Sequence, residues 1–255
     1  MLRPRLRLRR GWAYMFLFAP MSSTRYFEFD FAWRALSDFL RGRYLDVSSP
    51  RLFPILFARA HPEVSAELIN PDANDLSITT DLASACGIEQ RVHTDAQLIQ
   101  EAHLEPGTFD AISSLSVVEH IPHAGEAISR MWDWLKPGGK LILSLPCAAQ
   151  AYEEWINAPV YGLLEPDAQG YNFLQYVYDQ ALLEENIFRI TGTPRRMAIY
   201  GEKHPGFMRE YVETRQFSMG PFWREPYMMG REFRRAERLS DLPGEGVIAM
   251  EFIKP

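Results

Sequence analysis

From residue 25 onward, apolar positions follow blocks that change between a helical period and a strand-like run. In the first block, apolar residues are spaced four, three and four apart, which predicts one face of a helix. These residues are Phe29, Trp33, Leu36 and Leu40. A later stripe over 124–135 predicts a second helix, and Asp179 is typical of the N-cap of a third.

Seven segments have the composition and length of strands. They are residues 43–47, 64–70, 91–96, 108–118, 140–147, 195–202 and 246–255. The segment "KLILSLPC" (140–147) is apolar without alternation, as expected of a strand that is buried on both faces. The Pro-Gly-Gly turn that precedes it ends the helical stripe.

Strands that alternate with helical blocks predict βαβ units. The expected fold is α/β: a doubly wound, mainly parallel seven-stranded sheet with helices on both faces. We expect residues 25–255 to form a single domain. Two aromatic-rich segments, 148–175 and 203–245, do not fit the minimal pattern and are predicted insertions at the carboxyl edge of the sheet, where ligands bind.

Residues 1–24 are predicted to form a disordered basic tail. Five arginines precede an apolar stretch from Gly11 to Ala19, which is shorter than a membrane span and lacks a clear cleavage site. Two alternatives remain: Met21 is the true start of the protein, or the stretch is a weak anchor at a membrane surface.

Net charge and cysteine content disfavour some classes of protein. The net charge of −6 argues against a general nucleic-acid binder, so no nucleic-acid partner is expected. The two cysteines, Cys86 and Cys147, are too few for a disulfide scaffold or a four-thiolate metal site, which favours reduced thiols in a cytoplasmic protein. No stable membrane insertion is expected either.

Five segments, in order, carry a resemblance to a known family. They are "YLDVSSP" (44–50), "ELINPD" (67–72), "HTDAQLI" (93–99), "FDAISSLSVVEHI" (109–121) and "LKPGGKLILSLP" (135–146). Together they resemble the class I S-adenosylmethionine-dependent methyltransferases, with a glycine-poor first motif. The last two segments are the more specific. The resemblance implies S-adenosyl-L-methionine as the cofactor.

The first motif is expected to bind the amino-acid part of that cofactor. The resemblance places Asp46 near the ammonium, and the Ser48 and Ser49 hydroxyls near the carboxylate. Ser49 followed by Pro50 is also a helix-start signal, since serine caps and proline tolerates the first helical position. The alternative is that this corner only caps a helix in a protein that has lost its cofactor.

The remaining cofactor contacts are expected on the next strands. Asn70 stands where the family commonly has an acid for the ribose hydroxyls, and Asp72 follows it, although "NPDAND" is equally a turn. Asp95 with Ala96 fits the adenine position, but Asp95 also suits a helix cap. The same resemblance places Leu115 in the cofactor site.

Glu119 and His120 follow the fourth strand and are the candidate catalytic residues. His120 can act as a general base, because imidazole titrates near neutrality. The alternative is that both side chains brace the strand–helix junction. Pro122 disturbs the spacing between His120 and His123, so no metal site is predicted.

The sequence thus predicts methyl transfer to a small-molecule or glycan acceptor. Arg209, Arg224 and Arg231 are candidates for binding a phosphate or carboxylate of the acceptor. The aromatic candidates for stacking on a sugar or ring of the acceptor are Tyr152, Trp155, Tyr161 and Tyr171, although for most of these the core of a lid is the preferred interpretation. The alternative is a non-catalytic protein of the same fold that acts as a binding partner or regulator. A nicotinamide-dependent dehydrogenase is disfavoured, because no G-x-G-x-x-G follows the first strand. The oligomeric state is not encoded in any motif.

Overall fold

A computed structural model describes residue 21 and residues 24–49, 51–158, 165–211 and 225–255. The predicted tail falls almost entirely outside these ranges, as do Pro50 and Arg224. The strands are β1 (Arg41–Val47), β2 (Glu63–Ile69), β3 (Val92–Asp95), β4 (Phe109–Leu115), β5 (Leu135–Cys147), β6 (Tyr152–Ile156), β7 (Asn172–Val177), β8 (Arg196–Glu202), β9 (Phe233–Ala236) and β10 (Gly246–Ile253).

The helices follow the order expected of βαβ units. They are α1 (Arg25–Ala35), α2 (Leu52–Ala60), α3 (Ala73–Cys86), α4 (Ala124–Trp134), α5 (Gln180–Leu183), α6 (Arg189–Thr191) and α7 (Glu225–Glu232). A π-helical segment, Glu184–Phe188, joins α5 to α6, and a 3-10 turn, Val118–His120, follows β4. Asp179 caps α5 by accepting a hydrogen bond from the Leu182 N–H, as predicted.

The main sheet has the strand order β3-β2-β1-β4-β5-β10-β8-β9. The pairs from β3 to β5 are parallel, and those from β5 to β9 are antiparallel. The predicted α/β fold with a mainly parallel sheet is confirmed, but the predicted strand number is wrong: within the described residues the sheet has eight strands, not seven. The additional strand, β9, lies inside the segment 203–245 and is a short edge strand with two exposed arginines.

The first insertion supplies a separate two-stranded antiparallel sheet, the hairpin β6–β7. An isolated bridge between Cys147 and Tyr178 ties the base of this hairpin to the end of β5. The hairpin therefore stands over the carboxyl edge of the main sheet, where the strands β4 and β5 end.

Two apolar cores lie on opposite faces of the sheet. Leu141, Leu143 and Leu145 of β5 belong to the core under α4, whereas Ile142 faces the core formed with α1, α2 and α3. The strand β5 is therefore buried on both faces, as its uninterrupted apolar run predicts. Helices cover both sides of the sheet.

The predicted apolar face of the first helix is only partly correct. Phe29 and Leu36 are buried, but Trp33 and Leu40 are exposed. The helix α1 ends at Ala35, so Leu40 lies beyond the helical period, and Trp33 packs at the surface against Phe57. Each strand of the parallel half ends at the same edge, because Ile69 pairs with both Val47 and Asp95.

Candidate cofactor and acceptor site

Asp46 lies at the point where the strand order reverses between β1 and β4, the position at which α/β sheets bind ligands. Its side chain is 1% exposed. One carboxylate oxygen accepts from the Ser49 N–H at 3.0 Å. The other accepts from the Tyr44 hydroxyl at 3.0 Å and from the Ser113 hydroxyl at 2.7 Å. Burial raises the pKa of Asp46 to about 6. Asp46 therefore braces the corner and fixes its shape.

The two serines of the first motif also make bonds to neighbouring strands. Ser48 adopts a left-handed conformation (φ 54°), and its N–H and hydroxyl both donate to the Ile69 carbonyl. A residue with a Cβ is strained in that region by about 1 kcal/mol, which explains why glycine suits it best. The Ser49 hydroxyl accepts from the Leu115 N–H at 2.9 Å.

The predicted capping role of Ser49 is wrong. The N-cap of α2 is Arg51, which provides no side-chain hydrogen bond to the helix. The Ser49 hydroxyl instead accepts from the Leu115 N–H, and among the described residues no side chain caps the start of α2. An uncapped helix start of this kind binds a carboxylate well.

Asn70 and Asp72 form the corner at the end of β2. The Asn70 side chain accepts from the Asp72 N–H at 2.9 Å and donates to Asp75 at 3.2 Å. Asp72 caps α3 by accepting from the N–H groups of Asn74 and Asp75. The turn alternative is therefore observed, and a ribose contact by either residue stays a prediction.

The end of β3 presents Asp95 and Ala96, and both are exposed. The Asp95 carboxylate accepts from the Gln97 amide at 2.9 Å and is not used as a helix cap among the described bonds. Leu115, by contrast, is 1% exposed and lies beneath the corner. At the β3 end of this edge, the Asp95 carboxylate beside the small Ala96 suits the exocyclic amine of an adenine. At the β1 end, the N–H groups at the start of α2 suit the carboxylate of an amino acid.

A buried carboxylate that the sequence analysis did not select, Glu28, holds α1 over this edge. Glu28 is fully buried and accepts from Thr24, Arg25, Ser116 and Ser144 at 2.7–2.8 Å. Burial alone raises the pKa of Glu28, but Arg25 and the three hydroxyls together lower it below its ordinary value. This network fixes α1 to the ends of β4 and β5.

A cavity of about 870 Å³ opens between α1, the end of β4, the hairpin β6–β7 and the start of β10. Residues of these elements, of the 3-10 turn after β4 and of the segment after β8 line it. They include Arg25, Glu119, His120, Tyr152, Glu154, Trp155, Arg209 and Glu245. Both candidate catalytic residues thus face one space, together with aromatic and charged residues of both insertions. Tyr161, also a candidate for acceptor contact, lies outside the described residues.

His120 is held in one tautomer. Its Nδ1 lies 2.7 Å from the Leu174 carbonyl oxygen, which can only accept a hydrogen bond. Nδ1 therefore carries the proton in the neutral ring, and Nε2 has the lone pair. Burial lowers the pKa of His120, so the ring is neutral at pH 7. The same bond braces the hairpin against β4, so the bracing and catalytic interpretations are compatible.

Glu119 stands beside this imidazole. One carboxyl oxygen is 3.8 Å from His120 Nε2, and the other, Oε2, is buried without a hydrogen-bond partner among the described residues. Burial raises the pKa of Glu119 to about 8. The side chain is therefore protonated at pH 7 and places a hydrogen-bond donor beside His120.

A mainly parallel sheet with this strand order and helices on both faces is the class I methyltransferase fold. Solved structures support it: MccD protein aligns with a TM-score of 0.63 at 12% identity over 90% of this chain and 96% of that one. The cyclase SpnF aligns at 0.58 and 17% identity, over 89% and 80%. Geranyl diphosphate C-methyltransferase from Streptomyces coelicolor A3(2), solved with S-adenosyl-L-homocysteine, aligns at 0.54 and 14%, over 88% and 79%.

Residues 29–186 match the family model described as a methyltransferase domain, and the chain belongs to this family. S-adenosyl-L-methionine is the cofactor of the class, as predicted. Among curated proteins, the ubiquinone biosynthesis O-methyltransferase of Xanthomonas campestris pv. campestris (strain B100) is 32% identical over 103 residues, which is 40% of this chain and 42% of that protein. The protein of the same name from Xanthomonas euvesicatoria pv. vesicatoria (strain 85-10) is 32% identical over 87 residues, or 34% and 35%. The chain thus matches less than half the length of these relatives.

We predict that Glu28→Ala destabilises the protein by about 3 kcal/mol, because it leaves Arg25 and the hydroxyls of Thr24, Ser116 and Ser144 without their acceptor. Urea unfolding measures the change. Asp30→Ala, on the same helix but in an exposed ion pair with Arg34, is the matched control and is expected to cost less than about 1 kcal/mol. Equal effects of the two substitutions would contradict the role of Glu28.

A second prediction concerns pH. Folding raises the pKa of Asp46 to about 6, so the folded protein is most stable when this carboxyl is protonated. The free energy of unfolding therefore falls as pH rises from about 4 to about 6. Asp46→Asn removes this loss and retains an acceptor for the Ser49 N–H. The unfolding free energy of the variant, relative to the parent, is expected to increase over that interval by up to about 3 kcal/mol and then stay level. If the difference in unfolding free energy between variant and parent did not change with pH, ionisation of Asp46 would not cost stability.

Proposed function

We propose that this chain is an active methyltransferase that transfers the methyl group of S-adenosyl-L-methionine to a hydroxyl of a small-molecule or sugar acceptor. The observation that carries the proposal is His120, a neutral imidazole whose tautomer is fixed by Leu174 and which lines a cavity next to the predicted cofactor edge. The relatives named as O-methyltransferases support oxygen as the methylated atom.

The cofactor is proposed to lie along the carboxyl edge of β1, β2 and β3. Its carboxylate would be met by the N–H groups at the start of α2, beside Ser48, and its adenine by Asp95 and Ala96. Asn70 with Asp72 would contact the ribose. Asp46, Ser49 and Leu115 would support the site through the shape of the corner, because their polar groups are already bonded within the protein. When bound, this cofactor supplies an electrophilic methyl group on a sulfonium.

In the proposed reaction, His120 Nε2 takes the hydroxyl proton of the acceptor as the acceptor oxygen forms its new bond to carbon. General-base catalysis of this kind contributes about 10²–10⁴ in rate. Glu119 keeps its proton and donates a hydrogen bond to a second oxygen of the acceptor, which orients the acceptor. The hairpin and α1 exclude water from the reacting groups.

A non-catalytic role is the second candidate, and the first motif favours it. Glycines are replaced by Ser48 and Ser49, and Asp46 is turned inward. SpnF, described as a cyclase, also has this fold, so the fold alone does not define methyl transfer.

We also propose a single domain over residues 25–255 in the cytoplasm, with a small-molecule partner and no nucleic acid. Within the described part of the chain, no helix combines the length and apolarity that crossing a bilayer requires.

We predict that S-adenosylhomocysteine at about one hundred times its dissociation constant stabilises the protein by about 2.7 kcal/mol, because it binds only the native state. Thermal unfolding with and without ligand measures this. Adenosine at the same concentration is the control for the amino-acid part of the site. No shift at millimolar S-adenosylhomocysteine would favour the non-catalytic role.

We predict that His120→Ala lowers kcat by at least about 10²-fold and leaves S-adenosylhomocysteine binding unchanged. The assay follows S-adenosylhomocysteine release with a panel of hydroxylated small molecules. The acid limb of kcat/KM in the parent is expected below pH 6.5, since burial lowers the pKa of His120, and it is expected to vanish in the variant. Full activity of the variant would exclude His120 as the base.

A further inference from the structure

The cavity carries more carboxyl groups than proton removal from a hydroxyl requires. Glu154 of β6 and Glu245, next to β10, both line the cavity. The Tyr152 hydroxyl donates to Glu245 at 2.8 Å, and the Gln175 amide donates to Glu154 at 2.6 Å. Each carboxylate accepts several hydrogen bonds, so both keep capacity for a ligand.

The charges of these carboxyl groups are only partly balanced. Burial raises the pKa of Glu245, and repulsion from Glu154 and Glu202 acts in the same direction, whereas the hydrogen bond from Tyr152 and the charge of Arg209 lower it. Of the cavity-lining cations, Arg25 is bound to Glu28, and Arg209 lies 3.9 Å from Glu245 with a mostly exposed side chain. Like charges that repel one another in a partly buried site are stabilised by a bound cation.

A second observation in the same cavity also indicates a ligand. Glu119 is 2% exposed, and its Oε2 has no hydrogen-bond partner among the described residues. A buried polar atom without a partner costs about 1–3 kcal/mol, so a ligand that bonds to it gains affinity. The cavity therefore presents a buried carboxyl beside His120 and two further carboxyl groups, those of Glu154 and Glu245.

The neighbouring side chains favour an organic cation. Trp155 lines the cavity and is 44% exposed, so part of its ring is accessible to a ligand, and Tyr152 adds a second ring. Aromatic faces attract ammonium groups by cation–π interaction, and carboxylates bind them through charge-assisted hydrogen bonds. An apolar tail would have to desolvate Glu154 and Glu245 without compensation.

We propose that the acceptor carries a protonated amine, which Glu154 and Glu245 hold while its hydroxyl group lies at His120. The acceptor class is thus an amino-substituted hydroxyl compound, such as an amino sugar or an aminoalkyl phenol. This inference rests on the proposed function for the hydroxyl, but the amine subsite can be measured without methyl transfer.

Isothermal titration of the full chain with matched compounds tests the subsite. The pairs are tyramine with 4-ethylphenol and D-glucosamine with D-glucose, which differ in the ammonium group. In at least one pair, the ammonium compound is expected to bind at least about tenfold more tightly, with a dissociation constant below about ten millimolar. Glu154→Gln and Glu245→Gln are each expected to remove most of that preference. Glu89→Gln, an equal charge change at an exposed turn outside the cavity, is expected to keep it.

Three results would overturn the subsite: no binding of either ammonium compound below about ten millimolar, no preference over the neutral partner, or a preference that persists in both cavity variants. Methylation of the amine nitrogen instead of the hydroxyl would overturn its placement. If S-adenosylhomocysteine stabilises the protein but ammonium compounds are not preferred, the amine subsite is wrong and the proposed methyl transfer still holds. If ammonium compounds are preferred but S-adenosylhomocysteine does not stabilise the protein, the proposed methyl transfer is contradicted and the amine subsite still holds.

Discussion

The buried carboxylate of Asp46 is the constraint on which the ligand edge depends. It bonds the corner after β1 through the Ser49 N–H and joins β1 to β4 through Tyr44 and Ser113. These strands meet where the order of the sheet reverses, so their ends open a crevice. The carboxylate satisfies three donors, and this arrangement lets the corner keep its shape without the usual glycines. The left-handed Ser48 is the strained residue that remains.

A second buried carboxylate, Glu28, completes the site from the other side. It secures α1 to Ser116 and Ser144, and stacking of Phe27 on Tyr200 at 4.5 Å holds the same helix against β8. The bond from His120 to Leu174 fixes the hairpin on the opposite flank. The cavity therefore lies between α1 and the hairpin, and both are anchored to the strand ends. Glu28 anchors α1, and His120 anchors the hairpin.

Much of the fold follows from local patterns. The uninterrupted apolar run of β5 and the turn signals before it specify a strand between two helical layers. The strand β9 was missed because "FRRA" is short, charged and paired on one side only, so no apolar period marks it. The hairpin strands were missed because neither "YEEWI" nor "NFLQYV" alternates regularly between apolar and polar residues, and their pairing shifts register between Glu154 and Trp155.

The site was predictable in position more than in geometry. The ends of the strands locate Asp46, Asp95 and His120, because the order of the segments places them at one edge. The inward turn of Asp46 depends on Tyr44 and on Ser113 of another strand, which spacing along the chain does not reveal. Glu28 resembles a surface acid in a helix, and its burial depends on hydroxyls that lie 88 and 116 residues away.

A crystal structure of the chain with S-adenosylhomocysteine decides whether the cofactor binds along the carboxyl edge of β1, β2 and β3. We expect the ligand carboxylate at the start of α2, the adenine beside Asp95 and Ala96, and the sulfur facing the cavity of His120. A ligand bound elsewhere, or no ligand at the corner around Ser48 at saturating concentration, would show that this edge is not the cofactor site.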